Sequence, residues 1–244
     1  MDNGILNVRE MGAKGDGKSD DTAVFQKALD GAAGGRASVF VPVGTYLCSA
    51  LKMHERTAIQ GVPSFSYRSP GGSIIRLGEK KVRGLIDITG AFGATIEGLC
   101  LDGGGLGEEV HGVLLDKEDF GDQEDAFRIE RCQIGRFTGD GIHLRRVWCY
   151  VVRHCMICYN TGSGIAHRGW DGFVLDNWLS GNKGAGFGAF DPEDAAVTSL
   201  QFPTASMAPM APYDAPIAGE SLRHRPPASP VNRWRAQTDA RAMK

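Results

Sequence analysis

Ile129-Glu-Arg-Cys132-Gln-Ile134, Val152-Arg-His-Cys155-Met-Ile157 and Val174-Leu-Asp-Asn177-Trp-Leu179 are copies of one pattern, apolar at both ends with a small residue fourth. Each copy is followed by a Gly-x-Gly-apolar turn: Gly139-Asp-Gly-Ile142, Gly162-Ser-Gly-Ile165 and Gly184-Ala-Gly-Phe187. The offsets are 152 − 129 = 23 and 174 − 152 = 22 residues. They are too short for a strand–helix–strand unit and too long for an array of hairpins. They fit one coil of a parallel β-helix.

The register runs backwards to Ile96-Glu-Gly-Leu99-Cys-Leu101 and the turn His111-Gly112-Val113. An insertion, Asp116 to Asp125 (DKEDFGDQED), separates this coil from the next. Its carboxylates allow two readings, an acidic surface loop or a calcium site. The register also runs forwards to Val197-Thr-Ser-Leu200-Gln-Phe202 and then stops. Residues 203–244 hold seven of the chain's eleven prolines and a single glycine, Gly219. This composition predicts an irregular tail. The tail reads either as a natural linker or, because the pattern breaks off within a coil, as a truncated or shifted reading frame, and the open rung predicts self-association of the chain.

Before Gly61 the order is an apolar strand from Ile5, a glycine and acid loop from Gly15 to Asp21, a helix, and further strands. Val24, Phe25, Ala28, Leu29 and Ala32 mark the helix, with Asp20 or Asp21 placed to cap it and Gly34-Gly35 to stop it. Ala37 to Leu47 reads as strand, Pro-Val-Gly turn and strand. The stretch NVREMGAKGDGKSDDTAVFQKALD, followed by VFVPVGTYLCSALKM, resembles the opening of the pectate-lyase superfamily domain. The resemblance covers about the first sixty residues. It implies an all-β fold, a right-handed single-stranded parallel β-helix with an N-terminal capping helix. The expected division is a cap over 1–62, coils over 63–202 and an irregular segment over 203–244. It further implies a polysaccharide partner, cleavage of pectin-like or other acidic glycans by a lyase or hydrolase, and an extracellular or periplasmic setting. The Asp-rich loop is structural in that family. An EF-hand reading of Asp16, Asp20 and Asp21 fails because Lys27 stands where the twelfth-position Glu is required.

Composition excludes other classes. A formal net charge of -2 gives no bias towards nucleic acid. No run of about 18 apolar residues is present, and Met1 to Leu6 lacks the features of a secretory signal, so no membrane partner is expected. Oligomeric state is not legible. Of the six cysteines, Cys155 and Cys158 form a lone CxxC without a second ligand pair. Cys132 and Cys155 occupy equivalent places in the repeat and read as packed thiols.

Equivalent residues of a β-helix stack in columns about 4.8 Å apart. The middle residue of the turn gives His111, Asp140, Ser163 and Ala185; the small residue of the repeat gives Leu99, Cys132, Cys155, Asn177 and Leu200, an interior column within the strand. Thr138-Gly139-Asp140-Gly141-Ile142 resembles the Asn-Thr-Asp-Gly motif of polygalacturonases, relatives of the superfamily, which implies a general acid at Asp140. Their paired Asp falls on Gly162-Ser163 and their Gly-His-Gly on Gly184-Ala185-Gly186, so the second carboxyl group of inverting hydrolysis is missing. A Ser-His-Asp triad fails because Asp140, not His111, would stand in the middle. His111 with Asp140 reads either as an acid–base pair or as a surface ion pair.

Lyase chemistry needs a base near a uronate C5 and cations for the substrate carboxylate. Arg145 and Arg168, 168 − 145 = 23 residues apart, supply stacked guanidinium groups, with His143 beside the first. Trp170, in the neighbouring turn, either stacks on a sugar or packs. The candidates are Asp140, His111 and His143 for catalysis and Arg145, Arg168 and Trp170 for substrate binding, with no metal ligand assigned and calcium as the one cofactor open. Phe190-Asp191-Pro192-Glu193 resembles the Asp-Pro-His motif of mannuronan epimerases, with Glu193 where their His stands. The other open readings are a non-catalytic, phage-tailspike-like glycan binder and an inactive fragment.

Overall fold

The computed structural model describes residues 4–67 and 69–189. The chain winds through two parallel sheets as a right-handed β-helix. One coil runs Thr95–Glu97, Leu99–Asp102 and His111–Asp116; the next runs Arg128–Glu130 and Gln133–Gly135 into the long strand Ile142–Arg153. The repeat falls in register as its spacing requires: Ile96 pairs with Ile129, Ile129 with Val152 and Val152 with Val174. Ile96, Ile129 and Val152 are buried and form one interior row.

The repeated motif is two strands rather than one, which moves Cys132, Cys155 and Asn177 from within a strand to a corner between sheets, while Leu99 opens the strand Leu99–Asp102. An inward residue, two outward residues and a second inward residue cannot lie on a straight strand of period two. The backbone absorbs the extra residue in the left-handed region, at Gly98 (φ 64°), Arg131 (φ 53°), His154 (φ 55°) and Asp176 (φ 53°). At each non-glycine position this costs about 1–2 kcal/mol, which burial of the flanking rows offsets. Asn177 serves its corner as a ladder, its Oδ1 accepting the Cys155 N–H (2.9 Å) and its Nδ2 donating to Val152 O (2.9 Å). A second, unforeseen ladder is buried: Asn182 Oδ1 accepts from Asn160 Nδ2 (2.9 Å), and Asn160 Oδ1 accepts the Phe137 N–H (3.0 Å).

The second glycine of each turn is required by close approach. A Cβ on Gly112 would lie 2.5 Å from the carbonyl oxygen of Gly141, one on Gly141 2.7 Å from that of Gly164, and one on Gly164 2.6 Å from that of Gly186. Each coil's turn thus rests directly on the backbone of the next.

The helix Thr22–Ala32 buries Phe25, Ala28, Leu29 and Ala32. It packs across the strands Ile5–Asn7, Ser38–Val41, Gly44–Cys48 and Leu51–Lys52 at the first coils. Asp21 stands at the N-cap, but its carboxylate turns back to accept the N–H groups of Lys14 (2.7 Å) and Gly15 (3.0 Å). Asp20 does the capping, accepting the Thr22 N–H at 2.9 Å. The expected loop over 15–21 contains a strand, Asp16–Asp20, paired with Gly44–Cys48. Within it the Ser19 and Lys18 N–H groups hold the Asp16 carboxyl down at about 2. These carboxylates serve their own backbone.

All six cysteines are free thiols; Cys149 is exposed and the other five are buried. Among the described residues no helix is long and apolar enough to cross a membrane. The rung Val197 to Phe202, the segment 203–244 and the motif Phe190 to Glu193 lie outside the described residues.

One interior position is out of character. His167 pairs with Leu144, in the inward row, and its ring lies 5.5 Å from that of Tyr150 and 5.6 Å from that of Phe187. Neither ring nitrogen has a hydrogen-bond partner among the described residues, and burial lowers the pKa below 6.5. The unfolded chain therefore takes up a proton that the folded chain resists. Stability is expected to be level above about pH 6.5 and to fall as pH drops below it. His167→Leu, which repeats the residue of the preceding coil, should flatten that fall. Thermal denaturation at several pH values checks this, and an unchanged profile in the variant would contradict it.

Candidate functional site

The turn column forms as its spacing predicts. Val113 pairs with Ile142 and Ile142 with Ile165, which sets His111, Asp140 and Ser163 side by side on successive coils. His143 lies in the strand Ile142–Arg153, where buried Ile142 and Leu144 flank it and turn its ring outwards. From there His143 Nδ1 reaches Asp140 Oδ2 at 2.8 Å. The other oxygen, Asp140 Oδ1, accepts the Ser163 N–H at 2.7 Å. The Asp140 N–H in turn donates to His111 Nδ1 at 2.9 Å, and the two imidazole rings lie 4.3 Å apart.

These contacts fix tautomers. A carboxylate oxygen only accepts, so the proton between Asp140 and His143 sits on Nδ1 of the histidine. His111 Nδ1 accepts an amide proton, so its own proton sits on Nε2. Burial first, and then the charge of His143, push the His111 pKa down to about 4, with Asp140 pulling the other way. His111 is therefore neutral at neutral pH, and its 3.4 Å approach to Asp140 Oδ2 is not an ion pair. The side chains of His111, Asp140 and His143 are 14%, 15% and 18% exposed, which sets aside the solvated surface pair.

Arg145 and Arg168 are register partners on adjacent strands. Arg145 Nη1 donates to Asp116 Oδ1 at 3.1 Å, and Arg83 also bonds Asp116. Burial opposes the charge on Asp116, yet the hydrogen bonds from Arg83 and Arg145 outweigh it and hold its carboxyl below the usual range. Arg83 and Arg145 thus share the Asp116 carboxylate on this face, and Arg168 stands beside Arg145. Arg83 and Asp116 were not foreseen as part of it.

Trp170 does not occupy a turn, because the chain stays extended from Ile165 to Leu175. It is half exposed, and the Phe120 ring from the acidic insertion stacks on it at 3.9 Å. The insertion folds back as a closed flap: Lys117 Nζ bonds Asp125 Oδ2 (3.0 Å), and Trp148 donates to Phe120 O through Nε1 (3.2 Å). Asp116 and Asp125 are thus engaged by cationic side chains. Among the described residues the cluster of metal-ligating side chains is His111, Asp140 and His143, whose ligand atoms lie within 4.8 Å of one another. Its nitrogen-rich donors suit a transition-type ion better than calcium.

The fold defines a class, the right-handed parallel β-helix. A family profile described as "Rhamnogalacturonase A/epimerase, pectate lyase-like" matches residues 5–68. Mannuronan C5-epimerase AlgE6 of Azotobacter vinelandii is 28% identical over 195 residues, which are 72% of this chain and 21% of that protein. The chain therefore spans about a fifth of the length of this relative. Among solved structures, the A-module of Azotobacter vinelandii mannuronan C-5 epimerase AlgE4 superposes with a TM-score of 0.56 at 23% identity, over 74% of this chain and 59% of that one. ORF18 of Geobacillus virus E2 superposes with a TM-score of 0.57 at 19% identity, over 78% and 43%. The chain is a parallel β-helix whose residues 5–68 are similar to pectate-lyase-like proteins.

Proposed function

We propose that this chain is a carbohydrate-active β-helix that holds an acidic polysaccharide against Arg145 and Arg168 and moves a proton at its uronate with His143 and Asp140. The observation that carries this reading is the fixed position of Asp140, held between the Ser163 N–H and Nδ1 of His143, whose strand also presents Arg145. With Nδ1 protonated and anchored on Asp140, Nε2 of His143 is the atom that takes up a proton. His143 and Arg145 stand two residues apart on one face, about 7 Å along the strand. A uronate whose carboxylate meets the guanidinium would place C5 towards the imidazole. Removal of the C5 proton opens both β-elimination and C5 epimerisation, and the arginine offsets the charge that develops on the carboxylate. Glycoside hydrolysis is the weaker reading, because the turn positions at which related hydrolases carry further acids hold Gly162-Ser163 and Gly184-Ala185-Gly186. The relatives named as mannuronan epimerases favour a uronate substrate.

The double variant Arg145→Gln/Arg168→Gln is expected to bind a polyuronate at least about tenfold more weakly at low salt, with the difference shrinking as salt rises. Binding of a neutral glucan should not change. Equal polyuronate affinity in variant and wild type would overturn the assignment. A non-catalytic glycan binder is the second reading, favoured by Gly162-Ser163 and Gly184-Ala185-Gly186 where related hydrolases carry acids and His. It predicts the same loss of affinity without turnover in either protein.

A further inference from the structure

We infer that His111, Asp140 and His143 form a binding site for one divalent ion of borderline type, such as zinc, cobalt or nickel, and that this ion switches the site off. The inference rests on the proton-transfer reading only for the switching, not for the binding.

Its first support is spacing. Nδ1 of both histidines faces the same oxygen, Asp140 Oδ2, at 3.4 Å for His111 and 2.8 Å for His143. Donors that share an ion at about 2.0–2.1 Å stand roughly 3 Å apart, so little movement would bring the three atoms onto one centre. The second support is the state of His111. Its Nδ1 accepts the Asp140 N–H and so carries a lone pair rather than a proton, 3.4 Å from Asp140 Oδ2. An ion takes that lone pair when the ring turns from the Asp140 N–H, so binding exchanges this hydrogen bond for ligation. The third support is preorganisation. Ser163 holds the opposite carboxylate oxygen, and all three residues stand on paired coils.

Two imidazoles and one carboxylate select ions that accept nitrogen ligands, whereas calcium and magnesium take oxygen. Beyond the cluster, the charges that act on His111 are Arg83 and Asp116, which oppose each other and are themselves paired. An ion on His143 Nδ1 displaces the proton that Asp140 holds there. Bound ion and proton-transfer pair are thus alternative states of one site, and adding the ion should suppress turnover.

The test is titration of the full chain, freed of metal by a chelator, with cobalt(II), followed by its visible absorption and by calorimetry. One saturable site per chain is expected. His111→Ala and His143→Ala should each weaken it at least about tenfold. Cys149→Ser and His154→Ala, at an exposed thiol and at a surface pair with Asp176, should leave it unchanged. If His111→Ala fails to fold, His111→Gln keeps an acceptor for the Asp140 N–H and replaces it. Absence of saturable binding, equal affinity in both cluster variants, or loss of binding in Cys149→Ser would overturn the inference. A wild-type chain that binds no cobalt yet binds polyuronate through Arg145 and Arg168 sinks the ion site alone.

Discussion

Asp140→Asn is expected to lower turnover on a polyuronate by at least about a hundredfold, with the fold retained. A positioned acid–base group contributes about 10²–10⁴ in rate, and here Asp140 and His143 act as one unit. Asn keeps an oxygen for the Ser163 N–H, so the turn should stay intact. What it loses is the negative charge that fixes the proton on His143 Nδ1 and stabilises the imidazolium formed when Nε2 takes up a second proton. Affinity should change little, because the proposed carboxylate contacts belong to Arg145 and Arg168. A variant with lower turnover and unchanged binding is therefore the expected split in steady-state kinetics. Full activity would move the chemistry away from the turn column.

Gly164→Ala is expected to destabilise the chain by about 2–3 kcal/mol, the upper part of the usual range for overpacking. The added Cβ would lie 2.6 Å from the carbonyl oxygen of Gly186 and 2.8 Å from Asn182 Nδ2. Neither can retreat cheaply. The Gly186 carbonyl accepts the Ile165 N–H (2.9 Å), and Asn182 Nδ2 donates to Ile157 O (3.0 Å) within the buried ladder. Because each coil is supported by its neighbours, the strain spreads along the stack rather than staying local. Denaturant unfolding should show a lower midpoint with an unchanged slope. Ser163→Ala, one residue away, adds no atom and is the control. Wild-type stability in Gly164→Ala would mean that the turns do not rest on one another as described.

The columns were legible because a solenoid converts a constant sequence offset into spatial contact. Asp140 with Ser163 and Arg145 with Arg168 both sit 23 residues apart, and the structure makes each a neighbouring pair. The same logic hid the rest of the cationic face. Asp116 meets Arg83 and Arg145 at separations of 33 and 29 residues, because the loops between these coils vary in length. The Asn160 and Asn182 ladder does keep a coil offset, 182 − 160 = 22, but it lies between the two motifs that were aligned. The corners were missed for a different reason. Two polar residues between inward ones, as at Glu130-Arg131, demand a bend, yet Arg131 has none of the glycine or asparagine character that usually marks a left-handed residue. The His143 contact to Asp140 depends on an outward ring turning back three residues, and the stacking of Phe120 on Trp170 on a loop's path. Neither is encoded in periodicity.

The measurement that bears most directly on proton transfer at a uronate is exchange at C5. Wild-type chain, freed of metal, is incubated with a polyuronate in deuterium oxide and the polymer is followed by nuclear magnetic resonance. The predicted result is deuterium at C5 or an unsaturated C4–C5 end group, lost in both Asp140→Asn and His143→Ala. Tight binding of the polymer with neither deuterium nor unsaturation at C5 would contradict it and leave the chain a glycan binder.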